Sequence, residues 1–264
     1  MTWWVAATFM QITLSATALE PSGKWAIDFA SPGCVATRPF NNGQAQLSVA
    51  TPPLEHKLVI SANVASPVKL PRGTTLALVI GPGGRRFEGK AIDFNSPIAK
   101  SPEFGLYIDR DEIAQQAIAD ISFEHGKERL AAFKTGAWNA LLKSMAECSQ
   151  DFIVSYGIDP EREHQVETPA VPKLVDKLLL DSRISYDAIS QRAQSKMGLR
   201  VLIGTTGHIE QCTPVTSSGS RTIDERACKL LVEQGRYIPA KDRSNTAIVS
   251  EQLIFNRWLP AVDR

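Results

Sequence analysis

Short runs of alternating apolar and polar residues, separated by turn-forming residues, make up the first half of the chain. Alternation places one side of a strand in a core and the other in water, so these runs predict β-strands. They lie at 24–29, 34–38, 45–50, 57–64, 75–80 and 87–94. Turns such as Asn41-Asn42-Gly43 and Gly81-Pro82-Gly83-Gly84 favour chain reversals between them. The regular spacing predicts an antiparallel sheet or a small barrel.

Two stretches after these strands change to helical periodicity. Apolar residues recur every fourth residue across 111–121 and at helical spacing across 135–147. Cys148 follows the second stretch directly and is expected to end that helix. The first part of the chain is therefore predicted to combine a β-sheet with two helices.

The last quarter of the chain reads strand, hairpin, strand, helix, strand, which is the order of a small α/β unit. A short first strand is centred on 201–203, a tight turn follows at Thr206-Gly207, and the second strand covers 209–215. The final strand is predicted over 246–258, a long run in which β-branched and aromatic residues alternate with polar ones.

The helix of this unit has both start and stop signals. Thr222 is predicted to cap it, and Glu225 three residues later completes a capping box. Gly235 is predicted to end it in the left-handed conformation. These residues are interpreted as determinants of the fold.

The fold class that follows is α+β, with two folded regions. A mostly antiparallel β domain with two helices is predicted over 20–156, and a small α/β domain of strand-strand-helix-strand order over 173–264. A helix over 173–180 leads into the second domain. The segment 157–172 is polar and contains prolines, so it is predicted to be a linker.

The chain opens with a stretch that resembles an export signal. Residues 1–19 carry no charged side chain and are mostly apolar, and Ala16-Thr17-Ala18 fits the small-x-small rule for cleavage. We predict a signal peptide over 1–18, with cleavage near Ala18. An uncleaved inner-membrane anchor is the alternative, because about 17–20 apolar residues can span a bilayer.

The cysteines fit an exported chain. Four cysteines allow three pairings, and an even count behind an export signal favours disulfide bonds over buried thiols. Pairing within each predicted domain gives Cys34–Cys148 and Cys212–Cys228. We predict no metal site, because the sequence has no Cys-x-x-Cys and its histidines are scattered. The histidines are His56, His125, His164 and His208.

Composition and motifs give no support for nucleic-acid binding or catalysis. Among 264 residues, 43% are hydrophobic and 22% charged, and the net charge of +1 provides no basic surface for nucleic acid or an anionic membrane. The serines at 217–220 lack the Gly-x-Ser-x-Gly pattern. The Gly81-Pro82-Gly83-Gly84 turn lacks the Lys-Ser/Thr of a phosphate loop. We therefore predict a protein without catalytic residues or cofactors.

The last quarter resembles the C-terminal domain of TonB-type energy transducers over residues 185–260. The resemblance lies in a glycine between two strands, a Ser-Ser-Gly-x-x-x-Leu-Asp-x-x-Ala helix entry, an aromatic-x-Pro-Ala exit and a last strand. Cys212 and Cys228 resemble the cysteine-bearing branch of that family. The matching positions are Gly207, Ser217, Ser218, Gly219, Ile223, Asp224, Ala227, Tyr237, Pro239, Ala240 and Trp258.

The resemblance implies a non-enzymatic periplasmic protein that binds an extended peptide of an outer-membrane or envelope protein by strand addition, in transport or energy transduction. The last strand is the expected edge, and its predicted partner-binding residues are Ile248, Ser250, Gln252, Ile254 and Asn256. A central strand, or one paired in a homodimer, is the alternative.

A second function stays open at this point. The long proline-rich span with which TonB-type proteins cross the periplasm is not found in the sequence. A periplasmic scaffold protein that keeps the TonB-like module for interactions, without coupling to a motor, is therefore the alternative. A secreted hydrolase would need a nucleophile and a base that the sequence does not offer.

Overall fold

The computed structural model describes residues 18–29, 33–52, 54, 56–65, 70–71, 73–81, 84–92, 103–114, 116, 118–173, 175 and 196–257. At 103, 196, 256 and 257 it describes the backbone alone. The predicted signal peptide apart from Ala18, most of the helix predicted over 173–180, and Trp258 lie outside these residues.

The first part of the chain forms two antiparallel sheets around one apolar core. One sheet has the strand order β1-β2-β3-β4-β7, and the other has the order β6-β5-β8-β9. The strands are β1 (Ala26–Phe29), β2 (Cys34–Phe40), β3 (Ala45–Thr51), β4 (Lys57–Val64), β5 (Thr75–Ile80), β6 (Arg86–Lys90), β7 (Glu103–Asp109), β8 (Asp120–His125) and β9 (Glu128–Lys134).

The two sheets close into a barrel along two seams. At one seam the Leu19 N–H donates to the Ala132 carbonyl (2.7 Å), and the Asn41 N–H donates to the Glu20 carbonyl (3.1 Å). At the other, the Ile92 N–H donates to the Gly105 carbonyl (2.9 Å) and links the end of β6 to β7. Closure satisfies backbone groups that open sheet edges would expose. The residues that directly follow the predicted cleavage site are therefore part of the barrel.

The helices described beside the barrel are α1 (Arg110–Ala114), α2 (Trp138–Ser155) and α3 (Pro160–Glu163). The prediction of a helix over 111–121 was wrong beyond Ala114. Ile113 and Ile121 are both buried, but Ile121 reaches the core from β8, where it alternates with Phe123. An even spacing of apolar residues suits a strand as well as a helix, so periodicity alone did not separate the two.

Helix α2 packs its apolar face on the barrel core and is longer than predicted. It starts at Trp138 and continues past Cys148 to Ser155. Its end follows the Schellman pattern, in which Gly157 adopts a left-handed conformation (φ 75°) and the Ile158 N–H donates to the Ile153 carbonyl (3.1 Å). The end of the helix is thus set by Gly157.

The last part of the chain has the predicted strand-strand-helix-strand order, and the α+β class is confirmed. Its main sheet is antiparallel, with the order β12-β11-β16, and helix α4 covers one face. Buried apolar side chains from β11 and α4, such as Leu199 and Leu231, form a second core. The elements are β10 (Val171–Pro172), β11 (Lys196–Ile203), β12 (Ile209–Thr216), α4 (Arg221–Gln234), β13 (Tyr237–Ile238), β14 (Ala240–Lys241), β15 (Ala247–Ile248) and β16 (Ser250–Arg257).

The strand lengths of this unit differ from those predicted. Strand β11 spans Lys196–Ile203 and is not short. The single long strand predicted over 246–258 is divided, because Ala247–Ile248 pairs with β14 whereas Ser250–Arg257 pairs with β11. The division separates a small hairpin from the main sheet, and it leaves β16 with eight residues.

Both ends of α4 also differ from prediction. The helix begins at Arg221 after Ser220 at the cap position, so Thr222 is an exposed residue of the first turn. Gly235 is extended (φ −63°, ψ 137°) and not left-handed. A Cβ at Gly235 would lie 2.5 Å from both Ile209 Cδ1 and the Leu231 carbonyl oxygen, so close packing explains this glycine.

The segment 157–172, predicted to be a linker, contains α3 and β10, and β10 pairs with β13. Ile158 lies in the first core, whereas Val166 and Ala170 lie in the second. The chain therefore passes from one core to the other within this segment. Across the described part of the chain, no helix has the length and apolar character needed to cross a membrane.

Candidate functional site

The main sheet of the second unit has two edge strands among the described residues, β12 and β16, and the last strand predicted as the binding edge is β16. Among the described residues β16 pairs with β11 alone, in a continuous antiparallel register from Ser250 opposite Ile203 to Arg257 opposite Lys196. In an antiparallel ladder only every second residue directs its N–H and C=O toward the partner strand, so the others point outward. These outward groups can accept a further strand.

The predicted partner-binding side chains point toward the second core. Ser250, Gln252 and Ile254 lie opposite Ile203, Val201 and Leu199, which are all fully buried. The Gln252 amide donates to the Ala170 carbonyl (2.6 Å), and the buried Ser250 hydroxyl has no hydrogen-bond partner among the described residues.

The other two predicted residues differ from these. Ile248 belongs to the β14–β15 hairpin and packs on the same core, and only the backbone of Asn256 is described. These residues therefore offer main-chain groups, not side chains, at the edge.

The opposite face of β16 contacts the first part of the chain. Glu251 is only 9% exposed, and its carboxylate meets the Arg162 guanidinium at 3.4 Å and the Arg200 Nε at 3.8 Å. The Asp159 N–H also donates to it, at 3.2 Å. The alternation of polar and apolar residues along the predicted strand gave no signal for this contact. Buried carboxylates require partners of this kind.

Arg200 joins β11 to the end of α2. Its Nη1 atom donates to the carbonyl oxygens of Tyr156 (3.3 Å) and Gly157. The last carbonyls of a helix lack partners within the helix and carry partial negative charge, so a guanidinium stabilises them. A single arginine therefore binds both Glu251 and the end of α2.

Glu163 on α3 lies close to this group of charges. Burial raises its pKa from the ordinary value of 4.5 to about 7. The positive charge of Arg110 lowers the pKa and the negative charge of Glu251 raises it further, but burial is the largest cause. Glu163 is thus a carboxyl group that titrates near neutral pH beside the edge strand.

Two disulfide bonds fix the elements around these contacts. Cys34–Cys148 joins β2 to α2 with a Cα–Cα distance of 6.1 Å, and Cys212–Cys228 joins β12 to α4 with a distance of 5.3 Å. Both pairings are those expected from the sequence. Each bond lies within one unit and holds a helix against the sheet on which it packs.

The serine-rich turn before α4 is held by a buried carboxylate. Asp224 accepts hydrogen bonds from the Ser217 hydroxyl (2.6 Å) and from the Ser218 N–H (3.0 Å). No side-chain hydrogen bond caps α4 at Ser220, so the capping box predicted from Thr222 and Glu225 is not formed, and Asp224 instead holds the turn that leads into the helix. Glu225 instead pairs with Arg221 on the exposed face. Within the described ranges no group of histidine, cysteine and acidic residues is arranged to hold a metal ion.

Fold and edge together define a small α/β domain whose three-stranded sheet has β12 and β16 as its edge strands. Residues 185–256 match the family model of the Gram-negative bacterial TonB protein C-terminal domain, which confirms the resemblance found in the sequence. Domains of this family occur in envelope proteins and in general interact with outer-membrane proteins. No curated protein and no solved structure shows a significant match to the chain.

Proposed function

We propose that this chain is a non-enzymatic periplasmic protein whose TonB-like domain captures an extended peptide by strand addition to β16. The observation that carries the proposal is the outer edge of β16, which is unpaired among the described residues of a domain that matches the TonB C-terminal family. Main-chain hydrogen bonds along such an edge supply affinity for an extended chain. The partner is a segment of an outer-membrane or envelope protein, bound in transport or energy transduction.

The two disulfide bonds and the position of the barrel seam support export. Disulfide bonds persist in oxidising compartments such as the bacterial periplasm. Cleavage near Ala18 would leave Leu19 at the new N-terminus, where its nitrogen bonds to Ala132 at the seam. Sequencing the N-terminus of the protein from the bacterial envelope tests this, with Leu19 or Glu20 as the expected first residue. A retained residue 1 would favour an inner-membrane anchor.

The strand-addition proposal is tested by proline substitutions in β16. Ile254→Pro and Asn256→Pro remove N–H groups at alternate positions, which point in the same direction. We expect both variants to fold and to lose capture of peptides from a displayed library of short random sequences. Ile254→Ala and Asn256→Ala, which keep the N–H groups, are the matched controls and should retain capture.

The possible results separate three interpretations of β16. Unfolding of both proline variants would show that these N–H groups bond to β11. Folded proline variants with unchanged peptide capture would show that the edge of β16 is not the binding site. If the wild-type protein captures no peptide and sediments as a dimer that the proline variants lose, β16 pairs with a second copy of the chain.

The second candidate is a scaffold protein that keeps this interaction module without motor coupling. The observation that favours it is the short path between the units, because the chain passes from Ile158 in the first core to Val166 in the second. A cleaved N-terminus together with retained peptide capture would support the scaffold, since energy transduction requires an anchor at the inner membrane.

A further inference from the structure

The first half of β16 is covered by the segment that connects the two cores. Asp159 contacts the Glu251 side chain on one face of the strand, and Ala170 accepts from the Gln252 side chain on the other face. Since β11 occupies one edge, the connecting segment passes the strand at its outer edge or its start. Ser250 and Glu251 are correspondingly buried, whereas Leu253 and Phe255 are half-buried. The accessible part of the edge is therefore its second half.

A continuous group of aromatic rings leads from this half of β16 to the surface of the barrel. Phe255 packs against Tyr156 (5.7 Å between ring centroids) and Phe152 (6.4 Å), and these two rings contact each other at 4.7 Å. Phe29, at the end of β1, stacks on Phe152 with an interplanar angle of 17°. Phe29 is 63% exposed, the highest exposure among the large apolar residues that the structure describes. An exposed apolar ring thus stacks on the same Phe152 ring that contacts Phe255 of the edge strand.

We propose that the barrel supplies an aromatic wall, formed by Phe29, Tyr156 and Phe255 around the buried ring of Phe152, which selects peptides carrying a large apolar side chain. This inference rests on the proposed strand addition to β16 and deepens it. The unpaired backbone of the edge requires an extended chain as the occupant, and Phe255 connects the edge strand to the group of rings.

The alternation of side chains in a strand makes this geometry selective. An added strand places every second side chain on the face of the sheet where Phe255 meets the barrel. A large apolar side chain there would cover Phe29 and lie against aromatic rings, which favour such contacts. A polar side chain at the same position would gain no comparable contact. Binding through the main chain is largely independent of the peptide sequence. The aromatic wall would add specificity for one side chain of the peptide.

The test compares peptide selection by the wild-type protein, Phe29→Ser and Tyr107→Ser. Tyr107 is the matched control, because it is an aromatic residue of similar exposure (50%) in β7, at the opposite edge of the same sheet. A displayed library of short random peptides is selected on each protein. We expect the wild-type protein and Tyr107→Ser to enrich a large apolar residue at one position, and Phe29→Ser to lose this preference.

A peptide selected on the wild-type protein should bind Phe29→Ser about tenfold more weakly. Phe29→Leu, which keeps apolar bulk without the ring, should bind with intermediate affinity. Because Phe29 is exposed, both variants should keep the melting temperature of the wild-type protein. Equal preference and affinity for Phe29→Ser and Tyr107→Ser would overturn the aromatic wall alone. Failure of the wild-type protein to enrich any peptide would overturn strand addition and the wall together.

Discussion

Two carboxylates, one on β16 and one on α3, show how the surroundings of a residue determine its chemistry. Glu251 is paired with Arg162 and Arg200, whereas Glu163 is half-buried on α3 and its pKa is raised to about 7 by burial. A buried carboxyl group with a raised pKa is more stable in its neutral form. Folding is therefore favoured when Glu163 is protonated.

The pH dependence of stability should reveal Glu163. The contribution of Glu163 to the free energy of unfolding is fully present below pH 4.5, the ordinary pKa of a glutamate. It is lost as the pH rises through about 7, the raised pKa. Relative to Glu163→Gln, the wild-type protein should lose stability over this range and stay level at higher pH. Urea unfolding of both proteins across the range measures the difference. Glu161→Gln, an exposed carboxylate on the same helix, is the control, and a parallel shift in it would contradict the assignment.

At the level of elements, the start of α4 depends on a buried acid and not on the residue that the sequence suggested. Asp224 holds Ser217 and the fully buried Ser218, while Thr222 faces solvent. Acidic residues in the first turn also stabilise the helix dipole. The turn and the helix are thus joined through one carboxylate.

Removal of this carboxylate should destabilise the domain. Asp224→Ala leaves the buried Ser218 N–H without a partner, which should lower the free energy of unfolding by about 1–3 kcal/mol. Thr222→Ala, at an exposed position, should change it by less than about 0.5 kcal/mol. Thermal or urea unfolding of the two variants checks the contrast. An effect of Thr222→Ala as large as that of Asp224→Ala would show that the Thr222 side chain stabilises the start of α4.

At the scale of the whole molecule, each unit has one disulfide bond, and the two bonds close loops of very different length. Cys34 and Cys148 are separated by 114 residues, and Cys212 and Cys228 by 16. In the loop-entropy model a bridge over about 100 residues adds about 4.7 kcal/mol, and one over about 15 residues adds about 3 kcal/mol. The barrel and the TonB-like domain therefore gain different amounts from oxidation.

Replacement of each pair by serine should show this order. The Cys34→Ser/Cys148→Ser protein should lose more stability than the Cys212→Ser/Cys228→Ser protein, as measured by calorimetry under oxidising conditions. Peptide mapping of the exported wild-type protein without reduction should find both bonds. Free thiols, or a bond between Cys34 and Cys212, would contradict the pairing.

Much of the fold could be predicted from local patterns. Strands β4 and β5 have the bounds that alternation predicted, and the order of elements in the last quarter was recognised from turn and helix signals. The family match over 185–256 was likewise visible in the spacing of a few residues. These features depend on neighbours in the chain, so the sequence determined them by itself.

The tertiary structure alone decided how β16 is surrounded. Its alternation suggested one buried and one exposed face, but Ile254 packs on the second core and Phe255 packs on the barrel helix α2. The burial of Glu251 and the closure of the barrel by Leu19 likewise depend on residues far away in the chain. The alternation of apolar and polar residues along a strand predicts that its apolar side chains are buried. It does not predict which distant element covers each face, because tertiary packing determines that.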